Sequence, residues 1–121
     1  MFKQIKFVSI PVRDQDRALE FWTQKIGLQI ATDQPMGPGQ RWIELKLPGA
    51  QTGLVLFTPE GHEDRIGTFQ PLSFTVQNLE KVHQALTAKG VEFTQAPKKN
   101  PWGSNALFKD SEGNLFNVSE G

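Results

Sequence analysis

Val12-Arg13-Asp14-Gln15-Asp16-Arg17-Ala18-Leu19-Glu20-Phe21-Trp22 is the stretch that decides how this chain folds. Asp14 stands at a helix N-cap, where its carboxylate can accept from backbone N–H groups of the first turn. Ala18, Leu19, Phe21, Trp22 and Ile26 then recur at helical spacing. Gly27 supplies the left-handed position that ends such a helix. Upstream, residues 5–12 are rich in β-branched and aromatic side chains and read as a strand; downstream, residues 28–32 read as another. Breakers follow at Pro35, Gly37, Pro38 and Gly39. Residues 41–47 then alternate, with Ile43, Leu45 and Leu47 on one face and Trp42, Glu44 and Lys46 on the other. After Pro48-Gly49, residues 53–58 form one more strand. The order is β-α-β-β-β.

The same order returns further on. Residues 72–76 read as a strand, Asn78 caps a helix carrying Leu79, Val82 and Leu86, and Gly90 ends it before a strand at 91–94. Pro97 and Asn100-Pro101-Trp102-Gly103 stand where Pro35 to Gly39 stood, and strands at 105–109 and 114–118 flank the turn Asp110-Ser111-Glu112-Gly113. Aligning Val12 with Val76 sets Asp14 over Asn78, Ala18 over Val82 and Trp22 over Leu86. The expectation is an α+β chain of two tandem βαβββ modules, at 5–58 and 71–119, joined by a polar linker at 59–70 within one domain spanning 1–121. A module of this size buries too little surface to be stable alone, and its helix covers one face of its sheet. Pairing modules would curve a mixed sheet around a cavity fit for a small ligand.

Composition narrows the partners. Thirteen basic and 13 acidic residues cancel, so no net field gathers nucleic acid or an anionic membrane. No apolar run approaches the roughly 20 residues of a spanning helix, and the start Met1-Phe2-Lys3-Gln4-Ile5 does not read as a signal peptide. Absence of cysteine removes disulfides, thiolate zinc sites and a cysteine nucleophile, and fits the cytoplasm.

With its paired modules, its opening helix and the closing Asp110-Ser111-Glu112-Gly113-Asn114, the chain resembles the vicinal oxygen chelate superfamily over about 5–118. The helix is similar to the family's V-x-D-x-x-x-A-x-x-F-[YW] stretch, and the turn to its D-P-[DE]-G-N hairpin, with Ser111 in place of Pro. In metal-using members, such as glyoxalase I and fosfomycin-resistance enzymes, the resemblance implies four ligands, mostly His and Glu, on cavity strands. Counting from the motifs puts Phe7, Leu56, Pro71 and Asn117 at those places. Only Asn117 offers a neutral oxygen, so no metal and no cofactor are expected.

Strand parity then proposes a lining. Phe7, Ser9, Leu56, Ser73, Thr75 and Asn117 are expected to face the cavity, with Trp42 and Glu44 turned inward on the third strand and Trp102 and Asn105 at the equivalent place in the second copy. The indoles could stack on a flat or amphipathic ligand while Glu44, Asn105 and Asn117 orient it. Equally, both indoles could be core or dimer-interface residues and Glu44 solvated. Arg41 suits a ligand carboxylate, Glu44 or plain solvent. His62, in Glu60-Gly61-His62-Glu63-Asp64, reads as a solvated loop residue, His83 as a helix flank, and Gly37-Pro38-Gly39 as a turn with no phosphate-loop continuation. Three functions stay open: a homodimer that binds a small organic molecule, as the resemblance to bleomycin-resistance proteins implies, a lyase or isomerase with Glu44 as general base, or a scaffold or regulatory interaction protein with an incidental cavity.

Overall fold

The computed structural model describes residues 1–121 and resolves into two compact units, Met1–Ile66 and Gly67–Gly121. The first carries β1 (Phe7–Pro11), α1 (Gln15–Glu20), β2 (Gln29–Gly37), β3 (Gln40–Lys46) and β4 (Gly53–Phe57). The second carries β5 (Phe69–Val76), α2 (Leu79–Ala88), β6 (Phe93–Asn100), β7 (Gly103–Lys109) and β8 (Leu115–Glu120). Each unit has one four-stranded mixed sheet of the same order, β1-β4-β3-β2 and β5-β8-β7-β6, with the first pair parallel and the rest antiparallel. The repeated β-α-β-β-β order holds in both. No helix is long and apolar enough to cross a membrane.

The helix starts lie where the caps put them. Asp14 Oδ1 accepts from Arg17 N at 3.0 Å, and Asn78 Oδ1 from Lys81 N at 3.2 Å. Gly27 and Gly90 take the left-handed conformation beyond each helix end, at φ 92° and 89°. Past Glu20 the first helix widens into a π-helical turn, Phe21–Lys25, closed by Ile26 N donating to Phe21 O at 3.2 Å. That widening leaves Phe21 and Trp22 both buried, their rings edge to face at 5.3 Å.

The strands are longer than the breakers suggested. β2 runs through Pro35 and β6 through Pro97 because both are edge strands, where a proline's missing N–H can face away from the ladder. The register shifts beside each proline, between Pro35 and Gly37 and between Gln95 and Lys98. β5 likewise begins inside the expected linker: Phe69 pairs with Leu115, and Gln70 is buried, donating to Asn114 Oδ1 at 3.2 Å. Ahead of it the linker contains a short 3₁₀ turn, Glu63–Arg65.

The Asp110-Ser111-Glu112-Gly113-Asn114 turn is a polar knot. Buried Asp110 accepts from Glu112 N, Asn114 N and Asn114 Nδ2 at 2.9, 2.9 and 3.0 Å. Asn114 Oδ1 in turn accepts from Gly67 N at 2.7 Å, pinning the β7–β8 turn to the chain entering β5. Burial pushes the Asp110 carboxyl above its ordinary range, and the hydrogen bonds only partly oppose that.

Candidate functional site

In the first unit, Ile10, Leu56 and Ile43 pair laterally, as do Val8, Leu54 and Leu45. Side chains on laterally paired residues share a face, so these six form one layer. Ile10, Ile43, Leu45, Leu54 and Leu56 are buried there, and α1 packs on β4. The opposite face carries the alternate row, Ser9, Val55, Glu44 and Thr32. Phe7 and Trp42 belong to it too, their rings edge to face at 5.4 Å. Both rings, like Ser9 and Glu44, are half-buried.

This register corrects one expectation. Leu56 faces the helix side, fully buried between Ile10 and Ile43, and Val55 takes the place beside Ser9 and Glu44. The second unit agrees, because Ser73 there pairs with Asn117 as Ser9 pairs with Val55. Glu44 reaches over Gly53: a β-carbon added at Gly53 would lie 3.5 Å from Glu44 Oε2 and 2.9 Å from Leu45 O. The close approach of the Leu45 carbonyl, not the carboxylate, is what requires a glycine at this corner. Glu44 belongs to none of the ion pairs Arg41–Asp16, Arg41–Asp33 and Lys109–Glu92.

In the second unit Ser73, Asn117 and Leu107 form one row, and Thr75, Ser119 and Asn105 the next. All lie on one face, opposite the layer of Phe74, Phe108 and Phe116. Their polar groups are linked across the sheet. Asn117 Nδ2 donates to Ser73 Oγ at 3.1 Å, Asn105 Nδ2 to Asn117 Oδ1 at 2.9 Å, and Asn100 Nδ2 to Asn105 Oδ1 at 2.7 Å. Gln95 Nε2 reaches the Asn105 carbonyl oxygen at 3.4 Å. Asn100 and Gln95 were not anticipated from the sequence. The signal was the pair Asn105 and Asn117, set nearly symmetrically about the 110–113 turn, so that a hairpin must bring them onto neighbouring strands.

Trp102 departs from expectation. It sits in the β6–β7 turn and is 81% exposed, whereas Trp42 lies within β3. Matching Ile43 and Leu45 with Ala106 and Phe108, the buried residues of β3 and β7, makes Asn105 the counterpart of Trp42. Pro71, exposed on β5, offers no donor.

Arg41 lies on the helix side of the sheet, in line with Ile43 and Leu45. Its partners are neither Glu44 nor open solvent: Nε and Nη2 donate to Asp33 Oδ1 and Oδ2 at 3.1 and 3.0 Å, and Nη1 donates to Asp16. Buried Gln15 clamps the Arg41 backbone, donating to its carbonyl at 2.8 Å and accepting from its N–H at 3.1 Å, while also donating to Leu56 O at 3.0 Å. The guanidinium bonded to Asp33 holds that carboxyl below the usual aspartate range, and the two aspartates raise Arg41 further above its own. An open groove of about 680 Å³ lies here, lined by Arg13–Asp16, Gly39–Arg41 and Thr58.

His83 meets Phe93 edge to face at 4.6 Å, on the flank of α2. His62 is exposed ahead of the 3₁₀ turn, where Glu63 Oε1 accepts from Gly61 N at 2.9 Å. No three His, Cys, Asp or Glu side chains are placed to hold a metal ion. At the positions matched to metal ligands stand Phe7, Pro71 and Asn117, with Leu56 or its neighbour Val55, and the one amide oxygen among them already accepts from Asn105. That donor set does not fit a divalent cation, which requires several N, O or S ligands with compensating charge.

Comparison with known proteins agrees with this architecture. The family model of the glyoxalase/bleomycin resistance protein/dioxygenase superfamily matches residues 4–118. The uncharacterized protein YetH of Bacillus subtilis is 36% identical over 120 residues, covering 99% of this chain and all of YetH (100%). The structure of a superfamily member from Sphaerobacter thermophilus superposes with a TM-score of 0.91 at 29% identity, over 99% of this chain and 98% of that one. TnmS3, an antibiotic-binding protein from Streptomyces sp. CB03234, superposes with a TM-score of 0.85 at 30% identity, over 98% and 96% of the two chains.

Proposed function

The chain belongs to the glyoxalase/bleomycin resistance protein/dioxygenase superfamily, and from that membership we propose that it binds a small organic molecule, without metal and without converting it. The observation that carries this reading is the Phe7–Trp42 pair, edge to face on the sheet surface away from α1, with Ser9 and Glu44 beside it. Half-exposed aromatic rings held rigid by a neighbour are suited to stacking on a flat or amphipathic body. The likeness to antibiotic-binding TnmS3 supports a ligand of that kind. The working form is a cytoplasmic homodimer, two-fold dimers being the commonest closed assembly; light scattering that shows only monomer at tens of micromolar would remove it.

A thermal-shift and tryptophan-fluorescence screen on chelator-treated protein tests the reading. Trp42→Ala should weaken any hit about tenfold, as loss of a buried aromatic contact does, while Trp102→Ala should change little. Unchanged affinity in Trp42→Ala overturns the site. A second reading, a lyase or isomerase with Glu44 as general base, draws on the absence of any ion pair to that carboxylate. Glu44→Gln separates the two, since a base loses turnover with modest change in affinity.

A further inference from the structure

We infer that the sheet face of the first unit turned away from α1 takes the head of an organic cation, an alkylated ammonium group seated against the Phe7 and Trp42 rings with Glu44 as its counter-charge. This deepens the binding reading above and rests on it. The placement follows from the sheet order. Phe7 is on β1 and Trp42 on β3, with β4 between them, so rings that meet at 5.4 Å must reach towards each other across β4. The β4 side chain on that face at the crossing is Val55, which is buried. Ser9 and Glu44 are its paired residues, one on each side. Glu44 stands near both ends of the ring bridge. It is two residues from Trp42 on β3, and its Oε2 lies 3.5 Å from the place of a β-carbon at Gly53, the residue paired with Phe7. Two rings inclined at 78° and one carboxylate thus occupy adjoining positions of a single sheet face.

The cations of β3 are placed elsewhere. Arg41 donates to Asp33 and Asp16 on the helix side. Lys46, the next side chain of Glu44's parity, is exposed at the end of the strand, on the far side of Glu44 from Trp42. The hydroxyls of Ser9 and Thr32 can give hydrogens to a carboxylate but cannot neutralise it. A carboxylate half-buried beside apolar rings gives up part of its hydration, and a bound cation supplies the missing counter-charge. An alkylated ammonium answers both neighbours at once, drawn to the ring faces by their quadrupole and to Glu44 by its charge, while its alkyl groups pack on the rings. An anion is repelled by both, and a neutral body gains only the packing. The second unit lacks the combination: Pro71, Asn105 and Leu107 stand in the places of Phe7, Trp42 and Glu44.

The test uses the whole chain and three probes sharing a benzyl body: benzyltrimethylammonium, benzyl alcohol and phenylacetate. Binding is titrated through the Trp42 indole N–H signal in ¹H–¹⁵N spectra, assigned by its loss in Trp42→Phe. The ammonium should move that signal and bind about tenfold more tightly than benzyl alcohol, the scale of a cation on an aromatic face beside a counter-charge. Phenylacetate should be the weakest of the three. Glu44→Gln keeps the shape of the side chain and removes its charge, so the ammonium should lose most of its advantage while benzyl alcohol keeps its affinity. Misfolding would instead weaken all three together. If benzyl alcohol or phenylacetate binds as tightly as the ammonium, or if Glu44→Gln leaves the ammonium's advantage intact, the cation site is wrong and the binding reading stands. Phenylacetate binding most tightly would give the face to Lys46. If a folded chain binds none of the three, the cation site falls together with the binding reading.

Discussion

The two units share an element order and a sheet order, yet divide their bulk in opposite ways. In the first, the large side chains come from the helix: Phe21 and Trp22 are buried beneath an aliphatic layer of Ile10, Ile43, Leu45, Leu54 and Leu56. In the second, they come from the sheet. Phe74, Phe93, Phe108 and Phe116 form a chain of ring contacts, with Phe108 stacked on Phe116 at 5.4 Å, while α2 contributes only Leu79 as a buried residue. A helix-on-sheet layer has a fixed thickness, so volume given by one side must be withheld by the other. The sheet faces turned away from the helices differ as well, aromatic and acidic in one unit and amide-rich in the other. What duplication preserves is the scaffold, and what it releases is the side-chain chemistry placed on it.

The sharpest way to break this comparison is to empty the equivalent helix positions. Trp22→Ala removes a fully buried indole and should cost about 3–5 kcal/mol in urea denaturation. Leu86→Ala, its counterpart on α2 and only half-buried, should cost about 1 kcal/mol, by the area it removes from the interior. Equal losses would show that the second helix carries its layer after all. Next in size is Gly53→Ala. Its β-carbon would press on Leu45 O, a backbone atom that cannot swing aside, so about 1–3 kcal/mol of stability should go. Glu44 Oε2, at an ordinary contact distance of 3.5 Å from that carbon, should keep its place in the crystal structure of the variant. Asp110→Ala strips the acceptor from Glu112 N and the Asn114 groups, an expected loss of about 1–3 kcal/mol. The first unit has no such knot to lose.

The smallest effect lies in pH. Asp33 is held below its ordinary value by Arg41, so the folded state binds that proton less tightly than the unfolded one. The stability this contributes is present above the unfolded aspartate pKa of about 3.9 and is lost as pH falls through the lowered folded value. Both side chains are about a third exposed, 31% and 30%, and screening limits the contribution to under about 1 kcal/mol. Arg41→Gln should flatten this part of the acid limb of stability against pH. A limb identical to that of the parent chain would mean that the pair contributes nothing measurable.

Much of this was readable in advance where the pattern is local. Asp14 and Asn78 as caps, Gly27 and Gly90 as helix ends, and the alternation of Trp42, Ile43, Glu44 and Leu45 each depend on residues a few positions apart. The alternation alone put Trp42 and Glu44 on one face with Ile43 and Leu45 on the other. Leu56 failed for the converse reason. Gly53-Leu54-Val55-Leu56-Phe57 is apolar throughout, with no alternation to set its parity, and a shift of one residue exchanges the faces. Trp102 failed because the turn before β7 differs from the turn before β3, and only the paired strands show that Asn105 is the residue matching Trp42.

The sequence by itself therefore determined the repeat, the helix boundaries and the α+β class, because caps, glycines and periodicity act over one or two turns of chain. Only the tertiary structure decided which face Leu56 and Val55 occupy, that Arg41 is taken up by Asp33 and Asp16, and that Ser73, Asn117, Asn105 and Asn100 join hands across β5, β8, β7 and β6. Those outcomes depend on strand register. β4 finds its register against β1 and β8 against β5, across separations of 46 and 44 residues in the pairs Phe7↔Gly53 and Ser73↔Asn117, and register over such distances is set by packing of the whole layer rather than by any neighbouring residue.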